Sequence, residues 1–400
     1  MKTYIFLLIV IAGVGLTVRA QTADDFLLKA GILANSNKFD DALEAINQSA
    51  SKDNRQYARI MADIQFGLKD FKQAELLYSA LEKEYPGLYR LSLARCAGME
   101  GNMANAMEHL NAYFNQKNKL PISKIVNDEA FKKFKGNTSW ENMWQNIDYS
   151  EAELKVNQST SASENGDSQY LSGGLDEAMK KFPNNPELLY IQSKFFFDKK
   201  MYDAAENSIS QAINRKSTED KYHYQKSQIL QKNNKPKEAL ASINEAIQRN
   251  PFNVKYYINR IDLNKTLKNE ADVNKDLKFI NFCLPDNPEV QLTQVQIEAD
   301  KGNYMNAIAG LNTLIDKDKT KKEYYLLRGK LSLKTQKLQN ADEDFGMVLD
   351  LTPDDAEANL GKGIAKYKLQ DNQAACYYWQ KAANLGNREA VGYLNKFCGK

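Results

Sequence analysis

The chain has 400 residues, with 54 Lys or Arg against 51 Asp or Glu, a formal charge of +3, and a hydrophobic share of 42%. So even a balance supplies no field that would steer the protein toward a phosphate backbone, which argues against nucleic acid as a partner. The length also exceeds the roughly 250–300 residues at which a single core stops growing, so the chain must split into domains or stack linearly.

The first element in chain order reads as a secretory signal over residues 1–20. Lys2 supplies the positive charge, residues 4–18 an apolar run, and Val18-Arg19-Ala20 before Gln21 a small-x-small cleavage site. The run is short for a membrane span. No cysteine follows it to take a lipid, and no later stretch is apolar enough to cross a bilayer. The expectation is an exported protein, periplasmic or secreted in a bacterium, with peripheral envelope association open and an uncleaved anchor as the alternative. Without Lys2 and Arg19 the chain keeps 52 basic and 51 acidic side chains.

Residues 21–118 form an N-terminal block of three short repeats. Ala42, Ala74 and Ala106 are 32 residues apart, each introduced by turn-like wording: Phe39-Asp40-Asp41, Phe71-Lys72-Gln73 and Gly101-Asn102-Met103. Residues 119–185 change character. Phe131 and Phe134, then Trp140 and Trp144, fall at helical spacing and are expected to pack two atypical helices rather than to form an exposed patch. Residues 157–169 contain no large aliphatic or aromatic side chain, and they read as a polar loop between two helical blocks.

From residue 186 to 387 the chain repeats six times. Ala205, Ala239, Val273, Ala307, Ala341 and Ala375 are each separated by 34 residues, a period that marks a solenoid. Around them recur Ile209 and Ala212, Ile243 and Ala246, Leu311 and Leu314, and Trp379 and Ala382, at steps that place them on one helical stripe. A first helix precedes each stripe, seen in Leu189, Ser193 and Phe196, in Tyr325, Gly329 and Leu333, and in Leu360, Gly363 and Tyr367. Pro183, Pro251, Pro285 and Pro353 close several units, since a residue without an N–H ends a helix.

A small residue in the first helix, Ala-x-x-x-large-x-x-Ala in the second, and a closing proline at period 34 resemble the tetratricopeptide repeat family. The resemblance implies an all-α fold, a right-handed α-solenoid of antiparallel helix pairs. The unit at 254–287 departs from it, with Val273 for the alanine and Ile261 for the small residue, and is expected to pack more loosely. Cys-x-x-Trp-x-Lys-Ala-x-x-Leu-Gly over 376–386 resembles the closing unit of exported bacterial members, and residues 388–400 would then cap the stack. Cys376 and Cys398 lie about ten residues either side of the turn near 385–387. In an antiparallel pair they face each other, either bonded or as two buried thiols.

Motifs that carry chemistry are missing. The two histidines, His109 and His223, occupy repeat positions on helices. There is no Cys-x-x-Cys pair, His-Glu-x-x-His, calcium loop, phosphate-cradling glycine loop or nucleophile elbow. The reading is therefore of no enzyme, no catalytic residue, no metal and no cofactor. A ligand would lie on the first helices. Tyr190, Tyr224, Ile258, Leu292, Leu326 and Leu360 form an apolar row at the common period, and Lys194, Gln228, Asp262, Gln296, Lys330 and Ile364 a mixed, mainly polar row four residues on. Both rows suit a protein or peptide segment, though the apolar one can equally pack between helices. Some family members clamp a chaperone's C-terminal carboxylate. At the matching slots this chain has Tyr190, Lys194, Gln225, Lys255 and Asn259, of which only Lys255 is of the right type. The function expected is an exported non-catalytic scaffold, in a cell-envelope assembly or secretion complex. The alternative is a glycan-binding outer-membrane accessory protein.

Overall fold

A computed structural model describes residues 23–50, 52, 55–116 and 119–399. The expected signal over 1–20 lies outside them. Every regular element among the described residues is helical, 23 α-helices and one 3₁₀ helix. The chain divides into two compact units at Ala178/Met179.

The first unit opens with three helix pairs: α1 (Ala23–Asn35) and α2 (Phe39–Asn47), α3 (Arg55–Gly67) and α4 (Phe71–Glu84), α5 (Arg90–Glu100) and α6 (Met103–Phe114). Then come α7 (Ile122–Val126), the 3₁₀ helix Glu129–Phe134, α8 (Thr138–Gln145), α9 (Glu151–Asn165) and α10 (Ser168–Lys181), within which the division falls. The second unit has six pairs. They are α11 (Pro186–Asp198) with α12 (Tyr202–Arg215), α13 (Asp220–Lys232) with α14 (Pro236–Arg249), and α15 (Val254–Thr266) with α16 (Glu270–Cys283). The series continues with α17 (Pro288–Asp300) and α18 (Tyr304–Lys317), α19 (Lys322–Lys334) and α20 (Leu338–Leu351), α21 (Ala356–Lys368) and α22 (Asn372–Asn384), and ends on α23 (Arg388–Phe397).

Local signals set these boundaries. Asn185, Asn287 and Asp355 each cap a helix by accepting from two backbone N–H groups, and Pro186 and Pro288 stand at the first helical turn, where no N–H is needed. The turn inside each pair holds one left-handed residue: Asn37, Lys69 and Gly101 in the first unit, Lys200, Asn234, Lys268, Gly302, Gln336 and Gln370 in the second. The N–H following each of them reaches back five residues, as Met201 to the Phe196 carbonyl at 2.9 Å and Lys337 to that of Ser332 at 2.8 Å, closing the helix end.

Packing follows the small-residue row. Ala42, Ala74 and Ala106, then Ala205, Ala239, Ala307, Ala341 and Ala375, have no exposed surface. Val273 and Ile261 are buried in their places. The glycines allow the closest approaches. A Cβ on Gly361 would stand 2.4 Å from the Phe345 ring, and one on Gly363 2.4 Å from Trp379 Cδ1. In the first unit Phe131, Phe134 and Trp140 are buried, with Trp140 centred 5.1 Å from Phe134 and 5.0 Å from the half-buried Trp144.

One expectation is corrected. Residues 157–165, read as part of a polar loop, continue α9, and only Gly166 and Asp167 separate it from α10. A capping box between Ser150 and Glu153 starts α9 and left-handed Gly166 ends it. Ser159 and Ala162, too small to register as core in the sequence, are buried.

Cys376 and Cys398 are joined by a disulfide with their Cα atoms 5.8 Å apart, tying α22 to α23. Tyr393 stacks on Trp379 at 4.8 Å and Phe397 on Tyr367 at 4.5 Å, so α23 lies over the last apolar face. Cys96 and Cys283 are buried and take no part in a disulfide.

Candidate partner-binding face

The two rows on the first helices do different things. The apolar row is largely engaged between repeats. The Tyr190 ring lies 5.2 Å from that of Tyr222, and Tyr224 lies 4.9 Å from Tyr256. Leu292 and Leu326 are half-buried against the core of the fourth and fifth pairs, and Leu360 is buried in the cluster around Trp379. Ile258 is half-buried. The row's remaining surface is a series of edges.

The polar row offers more. Gln296 is exposed, and Lys194, Gln228, Asp262 and Lys330 are half-buried. Lys194 Nζ stands 5.9 Å from the centre of the Tyr190 ring, and Gln228 donates to Tyr224 Oη at 3.2 Å. Burial pushes the Asp262 carboxyl above the usual range, with Asp300 adding to the shift and Lys265 opposing it. Lys330 meets Glu357 of the next repeat at 2.5 Å. The face is thus a mixed ladder of amides and single charges over aromatic and aliphatic edges.

Ties between successive repeats hold the rows in register. Tyr222 donates to Glu187 at 2.9 Å beside Lys221, which donates to the same carboxylate at 2.6 Å. Tyr256 donates to Asp220 at 2.8 Å, and Lys322 to Asp355 at 2.9 Å. Burial raises the Tyr222 and Tyr256 hydroxyls far above their ordinary range, with the neighbouring carboxylates adding to it.

A second set of polar residues is not singled out by sequence reasoning. Arg260 grips Asp276 at 2.7 Å and Asn244 of the preceding helix at 2.9 Å. Two repeats on, Arg328 grips Asp344 at 2.7 Å and Asn312 at 2.7 Å. The signal is present in the sequence, but with a period of 68 rather than 34. In the repeat between them Gln294 and Gly310 stand in the arginine and aspartate places. A crevice of about 470 Å³ opens there between α17 and α18, lined by Gln291, Gln294, Val295, Glu298, Asn306, Gly310 and Thr313.

His109 and His223 are held neutral-leaning chiefly by burial, His223 with a ring nitrogen 2.9 Å from the Ser217 carbonyl. Among the described residues no three His, Cys, Asp or Glu side chains converge as a metal site would require, and no helix is long and apolar enough to cross a membrane.

Residues 27–89 match the family model described as "Tetratricopeptide repeat". A crystal structure of a tetratricopeptide repeat protein from Parabacteroides merdae superposes with a TM-score of 0.53 at 21% identity, covering 62% of this chain and 98% of that one. The APC/C hetero-tetramer Cut9-Hcn1 gives 0.55 at 12% identity, covering 94% and 84%. Tetratricopeptide repeat protein 16 of Macaca fascicularis is 24% identical over 222 residues, 52% of this chain. The human protein of that name is 23% identical over the same length. The matched stretch is only 25% of the length of these two relatives. The fold is that of a tetratricopeptide-type helical solenoid.

Proposed function

We propose that this protein is a non-catalytic scaffold that holds a protein or peptide segment along the first helices of its second unit. The observation that carries the reading is the regular recurrence of the mixed ladder Lys194, Gln228, Asp262, Gln296 and Lys330 on helices kept in register by cross-repeat ties. A surface repeated at a fixed step recognises a chain molecule one segment at a time, each step contributing a similar contact. Export to an oxidising compartment, with a role in a cell-envelope assembly or secretion complex, belongs to the same proposal. The Cys376–Cys398 disulfide supports it, because such bonds persist where thiols are not kept reduced.

The test uses the polar row, because Leu292 and Leu326 also pack on the core and their loss would confound binding with stability. In-cell crosslinking with mass spectrometry is run on the wild type and on Lys194→Glu/Gln228→Glu/Gln296→Glu. A single dominant polypeptide recovered with the wild type and reduced at least fivefold with the variant, at equal helicity, is the expected outcome. Equal recovery by the two proteins would remove this face from consideration.

A further inference from the structure

We infer that the crevice between α17 and α18 is a seat for an arginine side chain brought by a partner polypeptide, with Glu298 as its carboxylate in place of the aspartates that Arg260 and Arg328 hold within the chain. Gln294 stands 34 residues from each of those arginines, and Gly310 stands 34 from Asp276 and from Asp344. In the two flanking repeats a guanidinium lies across its own aspartate and reaches an asparagine of the preceding helix. In the repeat between them the arginine is shortened to an amide and the aspartate is reduced to a hydrogen. Val295 takes up the place of the aspartate's Cβ, and beside it, where the arginine is shortened, the crevice of about 470 Å³ opens.

The lining suits a guanidinium. Glu298 is the single charged residue among the seven, and its carboxylate is held by the Asn303 amide at 2.9 Å. The lining also carries oxygen acceptors on Gln291, Gln294, Asn306 and Thr313, of which Gln294 Oε1 already accepts from Asn281 at 3.0 Å, and acceptors suit a planar group with five donors better than a compact ammonium. Val295 and Gly310 provide an apolar floor for the methylene stem. Gly310 is required there, since a Cβ would stand 2.5 Å from Val295 Cγ2.

Two cations border the site. Lys317 Nζ lies 3.3 Å from Gln291 Oε1, and Lys278 occupies the repeat position held by Asn244 and Asn312 in the neighbouring units. Neither lines the crevice, so the charge inside it is negative. Lys278 weakens the seat relative to its relatives within the chain, which makes the inference testable in both directions. The crevice residues Gln291, Gln294 and Glu298 lie on a different flank of α17 from Leu292 and Gln296. The inference therefore does not depend on the proposed binding face.

The experiment titrates N-acetyl-arginine amide into the full chain and follows the methyl signals of α17 and α18 by NMR. Saturable shifts with a Kd of about 1–10 mM are expected for a single charge-assisted anchor. The neutral isostere N-acetyl-citrulline amide should not saturate, and Nα-acetyl-lysine amide should bind several-fold more weakly. Glu298→Gln should weaken arginine binding at least fivefold, and Lys278→Asn should tighten it. Copying the neighbouring repeat with Gln294→Arg/Val295→Gly/Gly310→Asp should fill the seat and abolish binding. The Gln296→Glu change of the binding face should leave it intact, so the two proposals fail separately. Citrulline matching arginine, wild-type affinity in Glu298→Gln, or no saturation by roughly 50 mM ligand would each overturn the assignment.

Discussion

At the turn within each helix pair one residue is held at positive φ, and in seven of those turns it is not glycine: Asn37, Lys69, Lys200, Asn234, Lys268, Gln336 and Gln370. A side chain with a Cβ adopts that conformation at a cost that glycine avoids, and asparagine tolerates it better than lysine or glutamine. Gln336 has φ 58° and an exposed side chain, so its substitution disturbs little else. Gln336→Gly is expected to raise stability by about 0.5–1 kcal/mol, offset in part by the greater freedom of the unfolded chain. Urea denaturation at constant m-value reads it, and a lowered midpoint would contradict the account.

At the level of paired helices, the Arg–Asp pairs decide how tightly each first helix sits on its partner. The Asp344 side chain is 3% exposed, and Arg328 is 24% exposed. Burial holds the Asp344 carboxyl above its usual range despite Arg328, so desolvation outweighs the pair's attraction there. Asp344→Ala leaves the arginine without its carboxylate partner and should cost about 1–3 kcal/mol, less than for a wholly buried pair because Arg328 keeps Asn312 and can reach water. Arg328→Met/Asp344→Ala should recover part of that loss in chemical denaturation. A double variant as unstable as the sum of its parts would show the pair to be two independent contributions. These pairs also show what the sequence conceals. The helix pairs are legible because the alanine row must repeat wherever two helices meet. The Arg–Asp–Asn triads are hidden because their partners lie 16 residues apart in either direction and recur only in alternate repeats. Residues 157–165 are missed for a different reason: a helix that buries only Ser159 and Ala162 shows no apolar stripe, and its caps are the sole signal. At the binding face the register of both rows can be read from the period, but the degree to which Tyr190, Tyr224 and Leu360 are already occupied by neighbours requires the packed structure.

For the whole molecule, each helix pair is stabilised by its own packing and by its neighbours, so stability is distributed along the chain and no single core governs it. Clusters of buried side chains among the described residues follow one another along the chain, each drawing on adjacent helices. The disulfide interrupts that sequence by closing a loop across a separation of 22 residues. Under mechanical load applied at its two ends, the chain would pay out length repeat by repeat, but the segment between Cys376 and Cys398 would stay short-circuited by its covalent bridge. Single-molecule extension should therefore fall short of the full contour by about 70–80 Å, and a reductant should restore the missing length. A full extension before reduction would show the bridge to be absent.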